Sequence, residues 1–198
     1  LGKTQRRQMT VPEPLKSFVE PLTALQRLLD RFSARGVIIG GIATGFLGKP
    51  RFTVDLDAMF LASTKEVPGI LEMAKEEGIE PRTDQIMEFA KKNRVLLLRH
   101  FASGASIDIS LGVLPFEEEV VARGKVYDAG ILSIRLPTPE DLIIMKAIAH
   151  RPKDLIDIQT VIDAHPDLDV HRIRHWVISF ADVLETPSLW TDIEELFK

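Results

Sequence analysis

The chain has 198 residues, 45% of them hydrophobic and 27% charged, with a formal net charge of −4 and no cysteine. That is enough apolar material for a real core and too much for a disordered chain. The absence of thiols excludes disulfide frameworks, thiolate nucleophiles and cysteine-bound zinc, so a metal would have to be held by oxygen or imidazole.

The slight acidity argues against a broad nucleic-acid-coating surface, although a local basic groove is compatible with it. No apolar run reaches membrane length. The opening residues, Leu-Gly-Lys-Thr-Gln-Arg-Arg-Gln, are basic but lead into no uninterrupted apolar stretch. The expectation is therefore a cytoplasmic protein without membrane contact.

Over residues 14–34, Leu15, Phe18, Leu22, Leu25, Leu28, Leu29 and Phe32 recur at helical spacing and predict an amphipathic helix ending at Gly36, with Pro21 as a point of restart. Val37-Ile38-Ile39 reads as a short strand halted by Gly40-Gly41, and residues 42–47 as a helical turn or two. A strand follows over 54–62, helices over 65–78 and 83–92, and a hairpin of strands over 95–101 and 106–111. A shorter strand pair is expected at 125–128 and 132–136.

Thr138-Pro139-Glu140-Asp141 is a strong helix start, with Thr as N-cap and Pro at the first position. Beyond it the pattern is helical, over 139–150, 153–164, 170–183 and 188–197, divided at Arg151-Pro152, His165-Pro166 and Thr186-Pro187. The fold class predicted is α+β, a mixed β-sheet core with flanking helices. The organisation is an N-terminal amphipathic helix packed on the core (1–35), the core itself (36–136) and a C-terminal helical region (137–198).

Residues two apart on a strand share a face, so Asp55 and Asp57 project together with Thr53. Two carboxylates so placed repel unless a cation lies between them, and Mg²⁺ takes hard oxygen ligands of this kind. Alone, this spacing is equally that of a solvated sheet edge. Asp108 adds weight, because it stands inside the apolar strand Ile107-Asp108-Ile109, where an unpaired charge is costly. Three such acids suit a two-metal phosphoryl-transfer site; the competing reading pairs Asp108 with Arg94 or Arg99 or has it cap a loop.

The Gly40-Gly41 turn, between a strand and a helix, exposes backbone N–H groups at the positive end of the helix dipole, a place for phosphate. Lys146 lies among Leu142, Ile143, Met145 and Ile148, either emerging between helix and sheet or snorkelling at the surface. The basic stretch His171-Arg172-Ile173-Arg174-His175 is a helical face that is solvated or meets RNA. Neither His100 nor His150 falls in a metal-ligand spacing, and Trp176 and Trp190 belong to amphipathic helices as core or interface residues.

Hydrophobic-Gly-Gly, a short helix, then Arg51-Phe52-Thr53-Val54-Asp55-Leu56-Asp57 resembles the signature of the polymerase-β-like nucleotidyltransferases, with Asp108 matching their third acid. Within that superfamily, "GGIATGFLGKPRFTVDLD" and "LPTPEDLIIMKAIAHRPKDLIDI" are similar to the AbiEii-type toxin nucleotidyltransferases and the minimal nucleotidyltransferases near them.

The resemblance implies catalytic metal, Mg²⁺ or Mn²⁺, on Asp55, Asp57 and Asp108, and a nucleoside triphosphate bound at Gly40 and Gly41. It places Arg51 and Thr53 in the lead-in to the acids, and Lys146, Lys153, Asp154 and Asp157 along the site's helical wall. It further implies an RNA, tRNA or protein acceptor and an antitoxin protein as partner. An antibiotic-modifying nucleotidyltransferase and a nucleotide-binding module without turnover are the alternatives.

Overall fold

The period of the apolar residues sets the element order. In the computed structural model, which describes residues 7–198, the chain begins with β1 (Arg7–Gln8), a 3-10 segment (Glu13–Phe18) and α1 (Val19–Arg31). There follow β2 (Gly36–Ile39), α2 (Gly40–Leu47), β3 (Asp55–Leu61), α3 (Val67–Glu76), β4 (Ile79–Pro81), α4 (Ile86–Asn93), β5 (Val95–His100) and β6 (Ser106–Gly112). The remainder is α5 (Pro115–Arg123), β7 (Lys125–Asp128), β8 (Ser133–Leu136), α6 (Pro139–Ala149), α7 (Pro152–Ala164), α8 (Val170–Val183) and α9 (Ser188–Glu194). The first six residues of the basic opening segment lie outside the described residues.

Five strands form one mixed sheet in the order β2-β3-β6-β5-β4, with β3 and β6 parallel and the other neighbours antiparallel. A smaller sheet, β1-β7-β8, meets β2 and α1 through β8. The fold class is α+β.

Alternation sorts the large sheet into two faces. Leu56, Ala58 and Phe60 of β3, Ile107, Ile109 and Leu111 of β6, and Leu96 and Leu98 of β5 are buried together, and Phe32, just past α1, stacks on Phe60 at 5.3 Å. The opposite face carries Asp55, Asp57 and Asp108. There Ile39, Met59 and Ser110 look across a cleft at Met145 and Ile148 of α6 and Phe180 of α8. The C-terminal helices thus roof the acidic face, and among the described residues no helix is long and apolar enough to cross a membrane.

Several elements depart from the sequence reading, each for a local reason. The α-helical part of the first helix starts at Val19, because Pro21 then falls in the first turn, where its missing N–H has no intrahelical acceptor to lose. That helix stops at Arg31, with Ser33 and Ala34 in left-handed conformation at φ 58° and 53°. Besides the two-residue β1, a short strand and a helix were not anticipated. Strand β4 is a three-residue edge strand ending in Pro81, which an edge tolerates. Helix α5 starts at Pro115, and Glu117 accepts from the N–H groups of Leu114 (2.8 Å) and Val113 (2.7 Å).

The start of α6 follows the sequence reading. The Thr138 hydroxyl accepts from the N–H of Asp141 at 3.2 Å, and Asp141, fully buried, receives Arg123 and Arg172. Arg172 is thereby drawn inward and also donates to Glu119 at 2.7 Å, so the 171–175 stretch does not present all of its cations outward.

Ile109 is fully buried where β6 lies between Ala58 of β3 and Leu96 of β5. Ile109→Ala is expected to lower the unfolding free energy by about 2–4 kcal/mol, the cost of a core cavity, measured by urea denaturation. A loss under about 1 kcal/mol would show that this strand is not the centre of the core.

Candidate active site

The site begins where β2 turns into α2. Pairing of β2 with β3 sets Ile39 opposite Asp57, so the next residue, Gly40, comes against that carboxylate. Gly40 has φ +63°, and a Cβ there would lie 2.0 Å from Asp57 Oδ2. A Cβ on Gly41 would lie 2.6 Å from Thr53 Oγ1. Both glycines are therefore required by space, and the first also by its backbone conformation. They let the N-terminus of α2 sit directly on the strand that bears the acids.

Parallel register between β3 and β6 places Asp57 opposite Asp108 and Asp55 opposite Ser106, so the three acids share one face on adjacent strands. The crowding is visible in their chemistry. Burial, reinforced by the charges of Asp55 and Asp108, pushes the Asp57 carboxyl up to about 6, against the opposing pull of Arg151 and Lys153. Burial likewise raises Asp108, with Arg82 opposing and Asp55 adding. The Thr53 hydroxyl contacts both the backbone O (3.1 Å) and Oδ1 (3.2 Å) of Asp55.

Asp55 and Asp57 have no ion-pair partner among the described residues, whereas Asp108 is paired with Arg82. The expected alternatives for Asp108 do not hold: Arg94 donates to the carbonyls of Leu111 and Ala62, and Arg99 pairs with Glu80. Among the described residues no three acids or histidines are gathered as a ready metal group. Even so, the donor set fits a hard divalent ion. Two same-face carboxylates with uncompensated charge, one of them held up in its pKa, are what Mg²⁺ takes when phosphate oxygens complete its shell.

Facing the acids is a wall of cations fixed by two buried carboxylates. Asp154 and Asp157, three apart on α7, both point at Lys146 of α6, which donates to Asp157 Oδ2 at 2.6 Å and to Asp154 Oδ1 at 3.3 Å. Arg51 grips Asp157 with two donors at 2.8 and 2.9 Å, and Arg151 grips Asp154 with two at 2.6 and 3.1 Å. Burial would raise Asp157, but Arg51 and Lys146 outweigh it and hold that carboxyl below its ordinary value. Asp154 is held down in the same way by Arg151 and Lys146.

This arrangement divides the helical residues read from the sequence. Asp154 and Asp157 spend their oxygens on cations and act as holders of Lys146, Arg51 and Arg151. Lys146 is only 4% exposed, yet with Gly40, Asp57 and Arg151 it lines a cleft of about 180 Å³. Lys153 is exposed, has no partner among the described residues and touches Asp57 through its charge alone. Sequence reasoning missed Arg151 and Arg82. Arg151 had a signal, a cation before a helix-starting proline with an aspartate three residues on; Arg82 follows an edge strand and had none.

The remaining candidates fall elsewhere. His100 is buried with Nδ1 at 2.9 Å from the Ser103 hydroxyl. His150 pairs with Asp192 at 3.1 Å, and Trp176 packs against Phe116 and Phe180.

The family described as "nucleotidyltransferase of unknown function (DUF6036)" matches residues 13–186. The chain belongs to this nucleotidyltransferase family. The match supports a place among the minimal nucleotidyltransferases. Solved structures similar to it include an antigenic nucleotidyltransferase-like protein from Paracoccidioides brasiliensis, at 14% identity, covering 93% of this chain and 94% of that one, with a TM-score of 0.49. The antibiotic-resistance factor ANT(2'')-Ia is similar at 12% identity, covering 83% and 93%, with a TM-score of 0.49. JHP933 from Helicobacter pylori is similar at 17% identity, covering 96% and 90%, with a TM-score of 0.46. No curated protein matches the sequence.

The raised Asp57 carboxyl has a measurable cost. A group whose pKa rises from 3.8 to about 6 on folding binds its proton more tightly in the folded state. Stability is therefore lost as pH climbs from about 4 through 6. Asp57→Asn is expected to raise the unfolding free energy of this nucleotidyltransferase by about 2–3 kcal/mol at pH 7.5 and by little at pH 4, in urea titrations without added metal. An equal effect at both pH values would disprove charge strain at Asp57.

Proposed function

We propose that this nucleotidyltransferase moves a nucleotidyl group from a nucleoside triphosphate to a hydroxyl acceptor and releases pyrophosphate. The observation that carries the reading is the register of Asp57 against Asp108, directly beside the Gly40 turn. Asp55 and Asp57 would hold Mg²⁺ or Mn²⁺, with Asp108 as third ligand once its carboxylate is free. Such an ion supplies charge neutralisation for the phosphates and the departing pyrophosphate.

The chain's own groups provide the rest. Backbone N–H groups at the start of α2 donate to phosphate oxygens. Arg151 and Lys153 add positive charge near Asp57, and Lys146 adds a positive edge to the cleft. Asp157 and Asp154 keep Arg51, Lys146 and Arg151 from swinging away. Asp108, as a carboxylate, is the group placed to take the proton of the attacking hydroxyl. Nucleotidyl transfer asks for positioning and charge neutralisation more than for a special nucleophile, and the site is built of those two things.

The similarity of the Gly40–Asp57 and Leu136–Ile158 segments to toxin-type nucleotidyltransferases supports an RNA, tRNA or protein acceptor, a cytoplasmic site of action and an antitoxin as partner. Transfer of α-labelled ATP, CTP, GTP and UTP to tRNA, to protein and to aminoglycosides tests the reading. Transfer to the first two acceptors is expected, with Asp55→Ala and Asp57→Ala each reducing it at least about 100-fold. Undiminished transfer in either variant would remove the catalytic assignment, and Mg²⁺-dependent nucleotide binding without any transfer would make the protein a binding module.

Lys153→Ala is expected to raise KM for the triphosphate about three- to tenfold, with kcat nearly unchanged, as for a cation that contributes to ground-state and transition-state binding alike. A fall in kcat at constant KM would assign Lys153 to the reacting phosphate instead.

A further inference from the structure

Among the described residues Arg82 is the one cation that bonds directly to any of the three acids, and the acid it bonds is Asp108. It follows β4, and its N–H donates to the carbonyl of Leu97 at 2.9 Å. Leu97 lies opposite Asp108 in the β5–β6 register. The Arg82 backbone is thus pinned to β5, and its side chain crosses that strand to reach β6. One guanidinium nitrogen, Nη2, bonds Asp108 Oδ1, and Nη1 lies 3.4 Å from the Ser106 hydroxyl.

The partners are half-open to solvent, with 31% of the Arg82 side chain and 35% of the Asp108 side chain exposed. Ion pairs of this exposure are individually weak and can be made and broken without disturbing a core. The contrast with the Lys146 cluster is direct, since there the carboxylates are almost wholly covered. One group of cations is fixed and the other is movable.

Arginine stays protonated at every pH the protein meets, so Arg82 brings a permanent charge to the carboxylate it holds. An ion ligated by Asp108 must compete with it. Asp55 and Asp57 face no such competitor. A triphosphate changes the balance, because phosphate oxygens are bidentate partners for a guanidinium and offer Arg82 another anion.

We propose that Arg82 is an internal competitor for the second divalent ion: the resting site takes one ion through Asp55 and Asp57, and Asp108 joins a second only when Arg82 lets go. The inference rests on the nucleotidyltransferase reading above and adds an order of assembly to it. By linkage, whatever draws Arg82 away tightens the second ion, and the second ion favours whatever draws Arg82 away.

Mn²⁺ binding by the full chain without nucleotide, followed by electron paramagnetic resonance, tests this directly. Arg82→Gln is expected to tighten the second Mn²⁺ about fivefold or more and to leave the first unchanged. Arg82→Lys, which keeps the charge, should stay near wild type. In the double variant Arg82→Gln, Asp108→Asn the gain should vanish. An unchanged or weaker second Mn²⁺ in Arg82→Gln overturns the proposal, as does a gain that survives loss of Asp108; in both cases the first ion still bound leaves the nucleotidyltransferase reading standing. Absence of Mn²⁺ binding in all of these proteins overturns both. Matching thermal unfolding of the variants shows that the comparison is between folded proteins.

Discussion

Parallel pairing of β3 with β6 is the constraint on which the site depends. It brings Asp57 and Asp108 abreast, while the period of the strands brings Asp55 to the same face. Apolar residues on the opposite face fix the register, since a slip of one position would turn Leu56, Ala58, Ile107 and Ile109 toward the polar cleft and the acids into the core. The hydrophobic core thereby enforces a repulsion among carboxylates that no local preference would choose. The raised Asp57 carboxyl is the trace of that enforcement.

Around this strained centre the protein arranges positive charge in two ways. The cluster of Arg51, Lys146 and Arg151 is multiply bonded to two buried carboxylates, Asp154 and Asp157, and it joins the segment before β3 to α6 and α7. Removing one member of such a cluster strands the others, which is why buried pairs resist piecemeal change even when their net contribution to stability is small. Its value lies in fixed direction. Lys153, without a partner among the described residues, and Arg82, in a part-exposed pair with Asp108, are held by fewer bonds, so the site combines a rigid frame with less constrained charge.

Much of this was legible in the sequence because it follows from periods and from backbone geometry. Alternation in β3 and β6 announced both the shared face of Asp55 and Asp57 and the anomaly of Asp108, and the Thr138-Pro139 start of α6 was explicit. The Gly40-Gly41 turn was readable as a turn, but its tight fit against Asp57 and Thr53 depends on the pairing of β2 with β3, which no local pattern specifies. Strand β4 was missed because a three-residue edge strand has too few residues for a period. Helix α5 was missed although Pro115 and Glu117 carry an ordinary start signal.

Side-chain partners were the least legible. Asp154 and Asp157 looked like ligand groups because carboxylates near a lysine suit either role; only the geometry shows their oxygens spent on Arg51, Lys146 and Arg151. The competing reading of Asp108, beside that of a third metal acid, paired it with the nearer arginines, Arg94 and Arg99, or had it cap a loop. The pairing with Arg82 arises from a strand crossing, where distance along the chain carries no information.

The distance in sequence between β3 and β6 has its own consequence for how the molecule comes to be competent. The segment from α3 to β5 separates these two strands, and long-range parallel pairing of this kind is slow because the intervening loop must close before any contact rewards it. A partly folded chain therefore possesses all three acids and yet no pocket for a nucleotide. A nucleotide that binds only where β3 and β6 have met would stabilise assembled molecules by mass action and not chains in which the two strands are still apart.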